Sequence, residues 1–158
     1  MRVVPWSQIK SWHCIACGKC CKHYDVVLKF PEWLNIVKTF GINFTSPSIS
    51  KFFLRRRTDG SCIFLYETRS RSFCSLQEHK PQACKLWPFK ISDTPKFGNQ
   101  YKATYFYRNR RLFVYVDSAC HGLRFGEPSK EFSYSVLPEF VEIALGLQRR
   151  QFKTTALP

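Results

Sequence analysis

Four cysteines are concentrated near the amino terminus, in the string HCIACGKCC (13–21). The C-x2-C spacing of Cys14 and Cys17 lets two thiolates reach one metal ion, and Gly18 permits the positive φ that turns backbone N–H groups towards sulfur. Cys20 extends this to C-x2-C-x2-C, the spacing with which bacterial ferredoxins hold three corners of an iron–sulfur cubane. The sequence therefore predicts one metal centre for these three cysteines, and the spacing favours an iron–sulfur cluster over zinc.

The other cysteines could complete this centre or form a second one. Cys21 is expected to point away from Cys20, because neighbouring side chains diverge in helices and in strands. Four more cysteines follow farther along the chain: Cys62, Cys74, Cys84 and Cys120. Eight thiols suit either two four-thiolate sites or one site with spare cysteines, and the residues leave both open. Ordinary disulfides are disfavoured because the thiols within 14–21 are too close together to be bridged.

Catalysis by ordinary side chains finds little support in the sequence. The 11 acidic residues show no paired-carboxylate spacing, and no G-x-S-x-G nucleophile motif occurs. Four histidines lie beside or between cysteines, and surface or capping roles are favoured over metal ligation for each of them: His13, His23, His79 and His121. The sequence leaves open whether the protein is an enzyme.

Composition indicates the kind of partner and the compartment. The chain has 158 residues and a formal net charge of +14, so an acidic partner, either protein or nucleic acid, is expected. Nothing in the sequence sets the oligomeric state. No apolar run is long enough to span a membrane. The first residues lack the apolar core of a secretion signal, which predicts a cytoplasmic location, where thiols stay reduced.

The elements that position the cysteines are predicted to be short. DVVLKF (25–30) is expected to be a strand, PEWLNIVKTFG (31–41) a helix that ends at its glycine, and Ile49–Arg57 a second, basic helix. The remaining expected elements are a hairpin of 61–66 with 71–76, a helical turn around Ala83 and Leu86, two strands within 100–118 joined at Arg108–Arg111, and a helix over 137–152. This pattern predicts a small single α+β domain, with short antiparallel strands and a few helices around a cysteine-ligated metal centre. Residues 1–13 would be a lead-in, and 14–158 the metal-binding domain with its C-terminal helix.

The order of the cysteines resembles that of the YkgJ-type cysteine-cluster proteins, which are described as zinc- or iron-chelating domains. The matching stretches are CIACGKCC (14–21), GSCIFL (60–65), CSLQEHKPQACKLWPF (74–89) and CHG (120–122). The resemblance implies that all eight cysteines are metal ligands: Cys14, Cys17, Cys20, Cys21, Cys62, Cys74, Cys84 and Cys120.

The cysteine domain is also similar to one in flagellin lysine N-methylases, where it is associated with a 4Fe–4S cluster and S-adenosylmethionine. Those proteins are much longer, and this chain shows no G-x-G-x-x-G nucleotide loop. The expected function is a metal-binding protein with an iron–sulfur cluster that supports redox chemistry or protein lysine methyl transfer, the latter with S-adenosylmethionine as cofactor. The alternative is a zinc-stapled basic module that binds nucleic acid or protein without catalysis. Aromatic residues among arginines in QYKATYFYRNRRLF (100–113) suit nucleic acid, although strand alternation would bury half of those rings.

Overall fold

Short strands, all paired antiparallel, alternate with short helices in the computed structural model, which describes residues 2–152. The strands are β1 Val3–Pro5, β2 Ile9–Trp12, β3 Val27–Leu28, β4 Thr45–Pro47, β5 Phe52–Leu54, β6 Leu65–Glu67, β7 Ser72–Cys74, β8 Phe89–Ser92, β9 Thr104–Tyr107, β10 Arg110–Asp117 and β11 Leu123–Phe125. The α-helices are α1 Lys19–His23, α2 Phe30–Phe40, α3 Gln82–Leu86, α4 Gln100–Ala103 and α5 Leu137–Ala144, and a π-helical turn, Phe132–Val136, leads into α5. This mixture confirms the predicted α+β class.

The described residues form two compact units. The terminal unit, as we call it, comprises residues 2–15 and 86–152, and the cysteine-rich unit comprises residues 16–85. The segment that the sequence suggested as a lead-in forms β1 and β2 of the terminal unit. Val4 and Ile9 are buried in the core of that unit, so these early residues contribute to its packing.

The terminal unit is built on the long strand β10. In its larger sheet β10 lies between β1 and β8, and β9 also pairs with β10. The turn between β9 and β10 contains Arg108 and Asn109, both with positive φ (43° and 64°), as the tight turns favoured in hairpins require. This hairpin confirms the two strands predicted within 100–118, although 100–103 is helical.

Alternation along β10 gives its sheet two apolar faces. On one face Leu112, Val114 and Val116 share a core with α5. Tyr105 and Tyr107 of β9 lie on this face as well, because the Tyr105 hydroxyl donates to the Ser133 carbonyl (3.4 Å) and the Tyr107 hydroxyl bonds to the Glu142 carboxylate. On the other face Phe113 and Tyr115 pack with Ala103.

The cysteine-rich unit contains a sheet of order β3-β5-β4, the hairpin β6–β7 and the helix α2. The hairpin confirms the predicted pairing of 61–66 with 71–76, over a shorter range. The core of the unit combines aliphatic, aromatic and cysteine side chains: Leu28, Ile36, Leu54, Cys62, Phe64, Cys74 and Leu76. Two cysteines are therefore part of the apolar core itself.

The helix α2 follows from signals in its own sequence. The Glu32 carboxylate accepts a hydrogen bond from the backbone N–H of Lys29 (2.8 Å), and Pro31 lies in the first turn. Gly41, with φ +106°, ends the helix. The predicted helix is confirmed to within one residue at its start.

No helix in residues 2–152 is long and apolar enough to cross a membrane.

Two predicted helices differ from the structure. The basic helix near Ile49–Arg57 is wrong: this stretch contains β5, which pairs with β3 and β4. Its aromatic residues favour a strand once two partner strands are available. The last helix, expected to reach residue 152, ends at Ala144, because Gly146 adopts φ +74°, a conformation that breaks a right-handed helix.

Candidate metal centre

Gly18 begins the short helix that carries two of the cysteines. Its φ of +70° is left-handed, and its carbonyl accepts hydrogen bonds from the N–H groups of Cys21 (2.9 Å) and Lys22 (3.1 Å). A side chain would also collide here, since a β-carbon at this position would lie 2.6 Å from the Ser72 Oγ atom. Glycine is therefore required for the turn that places Cys20 and Cys21 at the start of α1.

Cys62 is attached to α1 through its backbone. Its N–H donates to the Cys21 carbonyl (2.7 Å), and it forms an isolated antiparallel bridge with Arg56. The Arg57 guanidinium donates to the carbonyls of Ile63 (3.0 Å) and Leu65 (2.8 Å). These bonds fix the segment on both sides of Cys62 and hold this thiol in the core.

Cys74 and Cys84 flank a compact connection. Cys74 ends β7, and its carbonyl accepts a hydrogen bond from the Gln77 side-chain amide (2.7 Å). Cys84 lies in α3, and its N–H donates to the Pro81 carbonyl (3.0 Å). Between them Lys80 follows a 3₁₀ turn and is only 8% exposed. The connection therefore carries both thiols, and a lysine, into the interior of the unit.

Five cysteines of the cysteine-rich unit converge on one buried region. Cys62 and Cys74 belong to its core, and Cys21 and Cys84 pack against that core. The Sγ atom of Cys20 lies 3.8 Å from that of Cys21. None of the eight cysteines is in a disulfide. We call the five converging residues the thiol cluster: Cys20, Cys21, Cys62, Cys74 and Cys84.

The contact between Cys20 and Cys21 corrects the prediction that they point apart. Both lie in α1, where neighbouring side chains diverge by about 100°, and suitable rotamers bring the two sulfurs together. Two sulfurs bound to one tetrahedral zinc, each at about 2.3 Å, are about 3.8 Å apart. The spacing of this pair is thus that of two thiolates sharing one ion.

The Cys20–Cys21 pair has unequal acidity. A hydrogen bond from Cys21 lowers the pKa of Cys20 to about 7, with further lowering by the charge of Lys80, although burial acts in the opposite direction. The same hydrogen bond, followed by burial, raises the pKa of Cys21. Near neutral pH Cys21 therefore keeps its proton, and Cys20 is the better candidate for the thiolate form that binds metal.

Burial dominates the electrostatics of the other three thiols. It raises the pKa of Cys62, Cys74 and Cys84, most strongly for Cys84. Repulsion from Cys74, Cys62 and Cys20 adds to the shift at Cys84, so these sulfurs are close enough for their thiolates to destabilise one another. The positive charge of a cation bound among them would offset that repulsion, and its binding would release the thiol protons.

Basic residues that sequence reasoning missed also act on the thiol cluster. Against the larger effect of burial, the Lys80 charge lowers the pKa of Cys74 and Cys84. Arg56 and Arg57 have the same effect on Cys62. In the sequence, the only sign of this role was the position of Lys80 between two cysteines and directly before a proline. These cations partly offset the negative charge that a thiolate site would carry.

The thiol cluster fits a thiophilic metal in three respects. Its donors are sulfur atoms, they lie in a buried region, and one pair of them has the separation of two ligands on one ion. In the part of the chain that the structure describes, no three cysteine, histidine or acidic side chains form a group that could hold a metal ion as they lie. Metal binding by the cluster therefore requires some of its side chains to move. Changes of cysteine rotamer, which turn a single χ angle, supply such movement.

The remaining predicted ligands are placed differently. Cys17 is exposed. Cys14 and Cys120 belong to the terminal unit, where both pack against the core, and the Trp12 indole N–H lies 3.4 Å from the Cys120 sulfur. The structure thus brings together five of the eight predicted ligands within one unit.

Three of the four histidines lie at the surface. His13, His23 and His121 are exposed. His79 is half-buried, with its ring 5.7 Å from the Phe40 ring and its Nδ1 atom 3.1 Å from the Asn35 side-chain amide. Its contacts therefore account for its position without a metal.

Comparison with known proteins adds a family assignment. A family model described as "CxxCxxCC: Putative zinc- or iron-chelating domain" matches residues 13–121. This range covers more than half of the chain and includes all eight cysteines. No curated protein and no solved structure matches the chain. The match agrees with the resemblance drawn from the order and spacing of the cysteines.

Proposed function

The chain belongs to the CxxCxxCC family of zinc- or iron-chelating domains, and on that premise we propose that the thiol cluster is its metal-binding centre. The observation that carries this proposal is the convergence of five free thiols on one buried region of residues 16–85. The residues that would hold the metal are Cys20, Cys21, Cys62, Cys74 and Cys84. Ligation by Cys14, Cys17 and Cys120 stays a prediction from the sequence.

The metal we propose is an iron–sulfur cluster. The description of the family names iron as one of two metals, and the five thiols can supply the four thiolates that an iron–sulfur cluster takes. The C-x2-C-x2-C spacing would support it only with Cys14 and Cys17 as further ligands, which stays a prediction. Bound here, such a cluster would supply one-electron transfer. The protein would contribute an apolar surround from residues such as Phe64 and Leu76, and this surround, with the charge of Lys80, would tune the reduction potential.

Zinc is the second candidate, and one observation favours it. The 3.8 Å between the sulfurs of Cys20 and Cys21 equals the separation expected for two ligands of one tetrahedral zinc. In that case the site would be structural, and its binding free energy would stabilise the fold of residues 16–85. Lysine methyl transfer with S-adenosylmethionine stays a prediction from the resemblance.

Purification without oxygen separates these proposals. We expect a coloured protein that contains iron and acid-labile sulfide and absorbs visible light. A colourless protein with stoichiometric zinc would rule out the iron–sulfur cluster and favour the zinc site. Thiols that bind neither metal and react freely with an alkylating reagent in the folded protein would contradict both candidates.

A further inference from the structure

One face of the terminal unit's larger sheet combines exposed aromatic rings with cations. Alternation along the strands puts Phe106, Arg111 and Lys90 on the side of Phe113 and Tyr115, away from α5. Phe106 is 69% exposed, whereas Tyr105 and Tyr107 on the same strand pack on the α5 side. We call this side the aromatic–basic face. Two of the three rings on β9 are therefore partly buried on the α5 side, and only Phe106 belongs to the aromatic–basic face.

Two ring–cation pairs occupy this face. Phe106 lies directly across from Arg111, whose guanidinium is 5.8 Å from the centre of the Phe113 ring. Phe97 is 43% exposed and packs edge-on against Tyr115, with the Lys90 ammonium 5.9 Å from the centre of the Phe97 ring.

The spacing of the two pairs suits an extended ligand. Arg111 and Tyr115 are four residues apart on β10, so the pairs are separated by about 14 Å along the strand. Between the pairs Phe113 and Tyr115 are buried against Ala103 of α4, so the exposed ring and cation at each end would contact the ligand.

The charge of the face selects for an anion. Among the residues of β1, β8, β9 and β10 that point to this side, Asp117 is the only acidic one, and it is fully buried. Arg111, which is exposed, and Lys90, which is half-buried, therefore have no opposing carboxylate on these strands. The chain as a whole carries a formal charge of +14, which attracts polyanions from solution.

We infer that the aromatic–basic face binds single-stranded nucleic acid, with bases stacked on Phe106 and Phe97 and phosphates neutralised by Arg111 and Lys90. An acidic polypeptide offers the negative charge, but it does not carry an aromatic base beside each charge as a polynucleotide does. Duplex nucleic acid offers phosphates, but its bases are already stacked on one another. The inference concerns the terminal unit and does not depend on the metal proposed for the cysteine-rich unit.

The test measures fluorescence anisotropy of labelled oligouridine, oligothymidine and a duplex of equal length, titrated with the full chain at several salt concentrations. We expect single strands to bind more tightly than the duplex and unlabelled polyglutamate to compete poorly. Comparison of the two single strands distinguishes RNA from DNA. Duplex binding as tight as single-strand binding, or efficient competition by polyglutamate, would overturn the inference.

Matched variants separate stacking from charge. Phe106→Ala should weaken single-strand binding roughly 10-fold, the order expected for the loss of one stacked base, with the salt dependence unchanged. Arg111→Ala should weaken binding and reduce the slope of log affinity against log salt by about 0.7, one phosphate contact. Tyr134→Ala and Arg124→Ala, which change exposed residues of the same unit away from this face, should bind like the wild type.

Two results of the variant series would also overturn the inference. One is wild-type binding by both Phe106→Ala and Arg111→Ala. The other is equal weakening by the control variants, which would indicate general attraction to a basic surface. Phe106→Trp keeps a ring at the same position and should bind like the wild type, and the circular dichroism spectrum of Phe106→Ala checks that this variant is folded.

Discussion

Lys80 is a charged residue in an apolar part of the cysteine-rich unit. It is 8% exposed, and its charge lowers the pKa of Cys20, Cys74 and Cys84 against the effect of burial. The same attraction would act on thiolates bound to a metal, because an opposite charge nearby favours the charged form of a thiol. We therefore expect Lys80 to stabilise the metal-loaded state.

Replacing Lys80 tests this expectation. Lys80→Gln removes the charge and should weaken metal affinity by roughly 10- to 100-fold, the usual cost of losing a residue that supports the ligands. Lys80→Arg should keep most of the affinity. The measurement is competition with a chelator of known affinity, and Lys38→Gln, an exposed lysine of the same unit, is the matched control. Equal affinities for Lys80→Gln and Lys38→Gln would contradict the role given to Lys80.

Single residues show what the sequence could and could not predict about the site. The cysteines were identifiable as candidate ligands because four thiols within nine positions suit a shared metal better than disulfide bridges. Lys80 was not, because the chain has 25 basic residues and burial depends on how distant segments pack. The contact of Cys20 with Cys21 was missed for a related reason, since side-chain rotamers are not encoded in sequence spacing.

At the scale of elements, the turn into α1 decides where the first thiols lie. Gly18 adopts φ +70° and leaves no room for a side chain beside Ser72. The N–H of Ser72 donates to the Ala16 carbonyl (2.8 Å), so β7 and this turn are in direct contact. The close approach of two backbones therefore holds the helix that carries Cys20 and Cys21 beside the hairpin that carries Cys74.

A pair of glycine variants tests the close contact between Gly18 and Ser72. Gly98 has φ +74°, and a β-carbon there would meet nothing within 4 Å, so Gly98→Ala should lower the free energy of unfolding by about 1–2 kcal/mol, the cost of left-handed backbone. Gly18→Ala carries the same cost plus overpacking against Ser72, typically about 1–3 kcal/mol more. Denaturant unfolding of both variants gives the comparison. Equal destabilisation would contradict the proposed contact.

Elements with strong local signals were predictable, and elements made by distant pairing were not. The helix α2 has Pro31 in its first turn, Glu32 as its cap and Gly41 at its end, all readable from the sequence. The stretch Ile49–Arg57 was misassigned because β5 is defined by pairing with β3 and β4, which the sequence of that stretch does not reveal. The same holds for β1, whose partner β10 lies more than a hundred residues away.

At the scale of the whole molecule, the two units divide the proposed roles. Residues 16–85 contain the thiol cluster, and the terminal unit presents the aromatic–basic face. Cys62 and Cys74 are core residues, so metal bound to them would stabilise the folded cysteine-rich unit as well as form a site. The net charge of +14 would favour association with a polyanion independently of that metal.

The central claim is that metal binding depends on the buried thiols of residues 16–85. The most direct measurement is the native mass spectrum of the intact chain, purified without oxygen, for the wild type and the double variant Cys62→Ser/Cys74→Ser. Ile36→Val, which loosens the same core by about 0.5–1.5 kcal/mol but keeps every thiol, is the control. We predict that the wild type and the control carry the mass of bound metal and that the double variant does not. A double variant that retains the full metal content of the wild type would contradict the account.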